Sequence, residues 1–197
     1  FTKAGTAALN LTGSNTYTGT TTISAGTLSI GSAGNLGTGA ISIGAVGTLQ
    51  STGTFTLNNT PVTLQGGSTV NVIGNNNLTL SGALSGVGGS LHKMGTGILT
   101  LSNGTNSYDS GTIIDLGTLA LSGSGILPAT GTVTNNSALD ISQITAGSLA
   151  LGAIAGTGTI YAGGKALTAT VNGSYTFAGS IVDGGIGGGV GASFNKA

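Results

Sequence analysis

The sequence predicts an all-β solenoid of about nine coils with essentially no helix. Three observations predict it: apolar residues with a period of two, turn residues at every corner, and long internal repetition. The first is visible in chain order in "GTLSIG" (26–31), "TFTLNN" (54–59), "STVNVIG" (68–74), "LTLSG" (78–82) and "TGILTL" (96–101). Each alternates apolar residues with small polar ones, as a strand buried on one face requires. A period of 3.6 residues is hard to find. Thr, Val and Ile abound while glutamate and arginine are absent, so the local preference is for strand.

The corners come next. Glycine or asparagine ends each short strand, with asparagines in series at 58–59, 75–77 and 135–136. These residues tolerate left-handed backbone and fit tight turns. Forty glycines in 197 residues suggest collagen or disorder at first sight, but there is no G-X-Y period, only two prolines, and 38% of residues are hydrophobic.

The repetition fixes the architecture. Residues 1–30 align with 91–121: Lys3 with Lys93, Gly5 with Gly95, Leu9 with Leu99, Leu11 with Leu101 and Asn15 with Asn106. The match continues with Tyr17 on Tyr108, Ile23 on Ile114, Gly26 on Gly117 and Leu28 on Leu119, after one extra residue near Asn103. A third copy opens near 194, where "ASFNKA" (192–197) matches "GSLHKM" (89–94), so 1–197 is expected to be a single segment of a longer array. The 90 residues from Phe1 to Leu91 exceed one supersecondary unit, and the "GTL" starts at Gly26 and Gly47 lie 21 apart. Several coils of roughly 20 to 25 residues must therefore fill each long period.

The spaced pattern Lys93, Gly95, Gly97, Leu99, Leu101, Asn106, Tyr108, Gly111, Ile114, Gly117 and Leu119 resembles the strand repeat of autotransporter passenger domains. The first copy departs from it at Ala7, where the second glycine is wanted. The resemblance implies a right-handed parallel β-helix, exported across the outer membrane of a Gram-negative bacterium and lying outside the cell or on its surface.

Composition narrows the chemistry. Lys3, Lys93, Lys165 and Lys196 balance Asp109, Asp115, Asp140 and Asp183, so no basic surface attracts nucleic acid or anionic lipid. No cysteine braces the fold, and no signal peptide or apolar run of spanning length is expected. His92 beside Lys93, with Asp109 and Asp115 near, is the one candidate acid–base group. It stands where the first copy has Thr2, so it reads as an exposed variable position without an orienting carboxylate or a nucleophile. Carbohydrate-cleaving chemistry wants paired carboxylates, which four aspartates and no glutamate supply poorly. "GGIGGGVGA" (184–192) has the glycines of a calcium roll without its aspartates.

The repeat residues are therefore expected to be structural, with the leucines and isoleucines inward, the Lys93 ammonium solvated and the Tyr108 hydroxyl reaching water. No catalytic residue, cofactor or metal is expected. The expected partners are further coils of the chain at both ends. A non-catalytic stalk or adhesin segment is the leading function. A self-assembling fibre, or a flat face binding glycan or ice through Thr-x-Thr pairs such as those in "TYTGTTTI" (16–23), stands as the alternative.

Overall fold

The computed structural model describes residues 1–59 and 61–197. Strands three to five residues long predominate, and every strand pairing is parallel. Helix among the described residues is limited to the 3-10 turn Ala33–Asn35. Parallel pairing of neighbouring segments without a crossover helix is what a chain wound into stacked coils produces.

A coil presents three faces, illustrated by Val133–Asn135, Ala138–Ile144 and Ser148–Leu151. On the first face, the register partners Leu9, Leu28, Leu49, Val70, Lys93, Ile114 and Asn135 stack in one column. The column runs on through Ile154–Ala155 to the bridge between Gly156 and Phe177, making nine levels. At ~4.8 Å a level, the rod is roughly 43 Å long. Gly26 and Gly47 are register partners, as their 21-residue spacing suggests.

The second face carries the core's longest unbroken apolar rows. Phe55, Leu78, Leu99, Leu119, Leu139, Ile160 and Ile181 stack in register, beside Leu57, Leu80, Leu101 and Leu121. Most of these side chains are fully buried, with Phe55 and Ile181 only half so. Branched and γ-branched aliphatics suit such rows because each fills the space above its equivalent one level down.

Copies that align in sequence do not stack in space. Lys3 pairs with Ile23 and so heads the column Ile23, Ile43, Leu64, on the third face by its place in the coil. Lys93 belongs to the first-face column, and four levels carry it back to Leu9 instead. A 90-residue separation exceeds four coils by about one face, so the second copy is turned by a face relative to the first.

Candidate functional site

The repeat's lysines are the first surprise of the structure. Lys93 alternates inward with Leu91 along the strand Leu91–Met94 and is fully buried. Its Nζ donates to three backbone carbonyls, those of Met94 (2.8 Å), Gly95 (2.7 Å) and Leu116 (3.0 Å). Lys3 does the same with Ala4 (3.0 Å), Gly5 (2.7 Å) and Ala25 (3.0 Å). In each copy two acceptors lie in the lysine's own corner and the third lies in the next coil.

A solvated Lys93 head is therefore corrected: the ammonium fills a corner whose carbonyls would otherwise point inward unpaired. Burial pushes its pKa down to about 8, while the three acceptors use all three of its N–H bonds.

Glycine completes the corner. Gly5 and Gly95 turn it at φ +77° and +76°. One coil on, Gly26 and Gly117, each at φ +67°, sit against Gly5 O and Gly95 O, carbonyls the lysines also use. A Cβ on Gly117 would fall 2.4 Å from Gly97 O and 2.5 Å from Gly95 O, and on Gly26 it would fall 2.6 Å from Gly5 O. No other residue fits that approach.

Asparagine and tyrosine close the opposite side. Asn15 Nδ2 donates to Asn35 O at 2.8 Å, and Asn106 Nδ2 donates to Ile126 O at 2.9 Å, both twenty residues ahead in the next coil. Asn106 Oδ1 also accepts from Leu84 N–H at 2.9 Å, tying the preceding coil. The Tyr108 and Tyr17 hydroxyls each lie 2.7 Å from a threonine Oγ1, that of Thr112 and that of Thr21. Tyr108 is buried with its hydroxyl, against the expectation of a water-facing tip, and burial pushes its pKa above the ordinary tyrosine value.

Among the apolar repeat residues, Ile23, Leu28, Leu99, Leu101, Ile114 and Leu119 are fully buried. Leu11 is half-buried, and Leu9 is exposed although it is in register with Leu28. Phe194 and Lys196, in the third partial copy, are exposed on the strand Ser193–Lys196.

His92 has the orienting carboxylate it was expected to lack. Its Nε2 lies 2.6 Å from Asp115 Oδ2, and Asn136 Nδ2 donates to Asp115 Oδ1 at 2.8 Å. The sequence hid this pair because His92 and Asp115 are 23 residues apart and meet only through coil stacking. The Asn136 amide and then His92 hold the Asp115 carboxyl below the ordinary aspartate range. The three residues form an outward polar ladder over successive coils of the first face. Among the described residues, the side-chain hydrogen bonds of this ladder join these three residues to one another. No group of three His, Cys, Asp or Glu suited to a metal occurs among the described residues.

Sequence reasoning missed several buried polar residues that also tie coils. Asn135 Nδ2 donates to Thr159 O at 3.0 Å, and Ser68 Oγ donates to Ile43 O at 2.6 Å. Doubled asparagines were the available signal, since one of each pair at 58–59 and 135–136 turns inward.

Comparison with known proteins adds two similarities. The family model described as Passenger-associated-transport-repeat matches residues 1–30 and 91–121. The chain is 40% identical over 137 residues to the adhesin BmaC autotransporter of Brucella suis biovar 1 (strain 1330), a match covering 62% of this chain and 4% of that protein. The chain thus spans a small part of the length of the curated relative it matches. No solved structure matches.

Proposed function

We propose that this parallel solenoid, which carries two passenger-associated transport repeats and is similar to an autotransporter adhesin, serves as a non-catalytic stalk segment of an exported bacterial adhesin. One observation carries the reading. The polar side chains that recur between copies, Lys3 and Lys93, Asn15 and Asn106, Tyr17 and Tyr108, bond within the rod, and Lys3, Lys93, Asn106 and Tyr108 are buried. A repeat kept for recognition would turn its polar groups outward; this one uses them to hold successive coils together.

The rest of the protein follows as proposal. Residues 1–197 are one segment of a longer array, with a further copy from Phe194 and further coils as its partners. The segment lies outside the outer membrane. No helix among the described residues is long and apolar enough to cross a membrane.

A second reading, a flat face for glycan or ice, draws on a separate observation. Thr2, Thr22, Ser42, Thr63 and Ser85 are register partners in one row, and Thr27, Thr48 and Thr69 form another. The first row advances by 20 to 22 residues a step and the second by 21 at each step, so both lie in line along the rod.

The test is display of the chain on a bacterial carrier with a binding domain of known ligand placed beyond it. The stalk reading predicts attachment through the distal domain and none above the bare carrier when that domain is removed. Attachment by the chain alone to glycan-coated surfaces, or hydrolysis of surface polysaccharide, would overturn it.

A further inference from the structure

We propose that residues 183–192 form a latch, closed by Asp140 over the outer side of the second face, that opens as a unit while the rod stays folded. The segment leaves the strand Ser180–Val182 and returns at Ser193–Lys196, and six of its ten residues are glycine. Five of those adopt positive φ: Gly184 (+83°), Gly185 (+98°), Gly188 (+64°), Gly189 (+103°) and Gly191 (+89°). So glycine-rich a segment loses much chain entropy when ordered, and something specific must hold it.

What holds it lies two levels back. Asp140, Tyr161 and Val182 are register partners on the second face, so the segment turns back across the coil of Tyr161 to reach Asp140. Ile186 N–H donates to Asp140 Oδ2 at 2.7 Å, and Gly187 N–H donates to Ser142 Oγ at 2.7 Å. The other carboxylate oxygen, Asp140 Oδ1, accepts from Ser142 N–H at 2.9 Å and Ser142 Oγ at 2.6 Å. Two consecutive amides of the segment are thus received by one carboxylate–hydroxyl pair.

Burial shows the covering. Leu139 and Ile141 point into the core, which places Asp140 on the outer side of the strand, yet Asp140 is only 2% exposed and Ser142 7%. Backbone contact is close enough that a Cβ on Gly185 would meet both Asp140 carboxylate oxygens, at 2.7 and 2.8 Å, and one on Gly189 would meet Gly163 O.

The latch is weakly anchored otherwise. Its two large apolar side chains face solvent, Ile186 at 48% and Val190 at 83% exposed, so burial contributes little to closure. Its remaining bonds are largely its own: Gly184 N–H to Gly189 O at 2.9 Å, Gly188 N–H to Gly185 O at 3.0 Å, and Ala192 N–H to Asp183 Oδ1 at 2.7 Å. These travel with the segment when it lifts. Opening hands the Asp140 carboxylate to water, so no charge is left buried without a partner. The rod beneath, laddered on both sides of each coil, has no such escape.

Hydrogen exchange resolved amide by amide tests the latch in the whole chain. In the parent, Ile186 and Gly187 should be protected together and exchange faster than Leu119 and Leu139. Asp140→Asn sets an NH2 group against one of the donors, and should speed exchange at Ile186 and Gly187 about tenfold or more, leaving Leu119 unchanged. Gly185→Ala wedges the same contact from the latch side while every rod residue keeps its identity, and should do likewise. It also decides the matter if Asp140→Asn does not fold. Unprotected Ile186 in the parent, unchanged exchange at Ile186 in Gly185→Ala, or equal acceleration at Leu119 and Ile186 would each overturn the proposal.

Discussion

At the scale of single residues, position in the coil decides role more than residue type does. Gly117 has to sit against Gly97 O and against Gly95 O, which also accepts from the Lys93 ammonium, at a φ of +67°. Gly117→Ala should therefore cost more than about 1 kcal/mol, through both the left-handed backbone and the crowded Cβ, as read by urea unfolding. Tyr108→Phe removes one hydroxyl and leaves the buried Thr112 Oγ1 without its 2.7 Å partner. A loss of about 1 kcal/mol is expected, the ordinary worth of a hydrogen bond.

Asp115 contributes to the pH dependence in the acid range. Asn136 and His92 depress its folded pKa below the unfolded value of about 3.9. The unfolded chain consequently binds the proton first as pH falls, so this contribution is full above about pH 4 and is lost below it. The group is partly exposed, which keeps the effect small. Asp115→Asn should flatten that part of the acid limb in melting curves taken from pH 6 to 2.

At the scale of elements, the strands were legible and the inside of the corners was not. "LTLSG" and "TGILTL" alternate clearly, and Leu78, Leu80, Leu99 and Leu101 occupy the core in neighbouring levels. The same alternation places Lys93 inward with Leu91, but a rule that lysine snorkels overrode it. Nothing in a one-dimensional pattern announces that three carbonyls converge there, since one of them, from Leu116, arrives from the next coil. His92 and Asp115 escaped for the same reason. Leu101 offers the sharpest test of the rows, because it is flanked by Leu80 and Leu121 in register. Leu101→Ala should cost about 2–5 kcal/mol by leaving a cavity. Leu101→Asp should cost more still, because its carboxylate has no partner there. Equal midpoints for the two variants in guanidinium would count against the stacking.

At the scale of the whole molecule, the repeats act as staples between coils, and their spacing distributes them around the rod. Lys3 heads the column of Ile23 and Ile43, while Lys93 stands in that of Val70 and Ile114. Staples on different faces resist splaying in different directions along a rod whose stability is a sum of neighbour interfaces. The signature was legible as a recurrence from 1 to 30 and from 91 to 121, but its turn by one face was not. That turn depends on unequal coil lengths, such as 19 residues from Leu9 to Leu28 against 23 from Val70 to Lys93.

The recurring polar residues Lys93, Asn106 and Tyr108 bond within the rod and hold it together. Equilibrium unfolding of Lys93→Met and His92→Ala in the same chain tests this most directly. Lys93→Met keeps the apolar volume but strands three carbonyls, and should lose at least about 2 kcal/mol. His92→Ala breaks one part-exposed pair and should lose less than about 1 kcal/mol. A larger loss for His92→Ala, or a stability unmoved by Lys93→Met, would contradict the account.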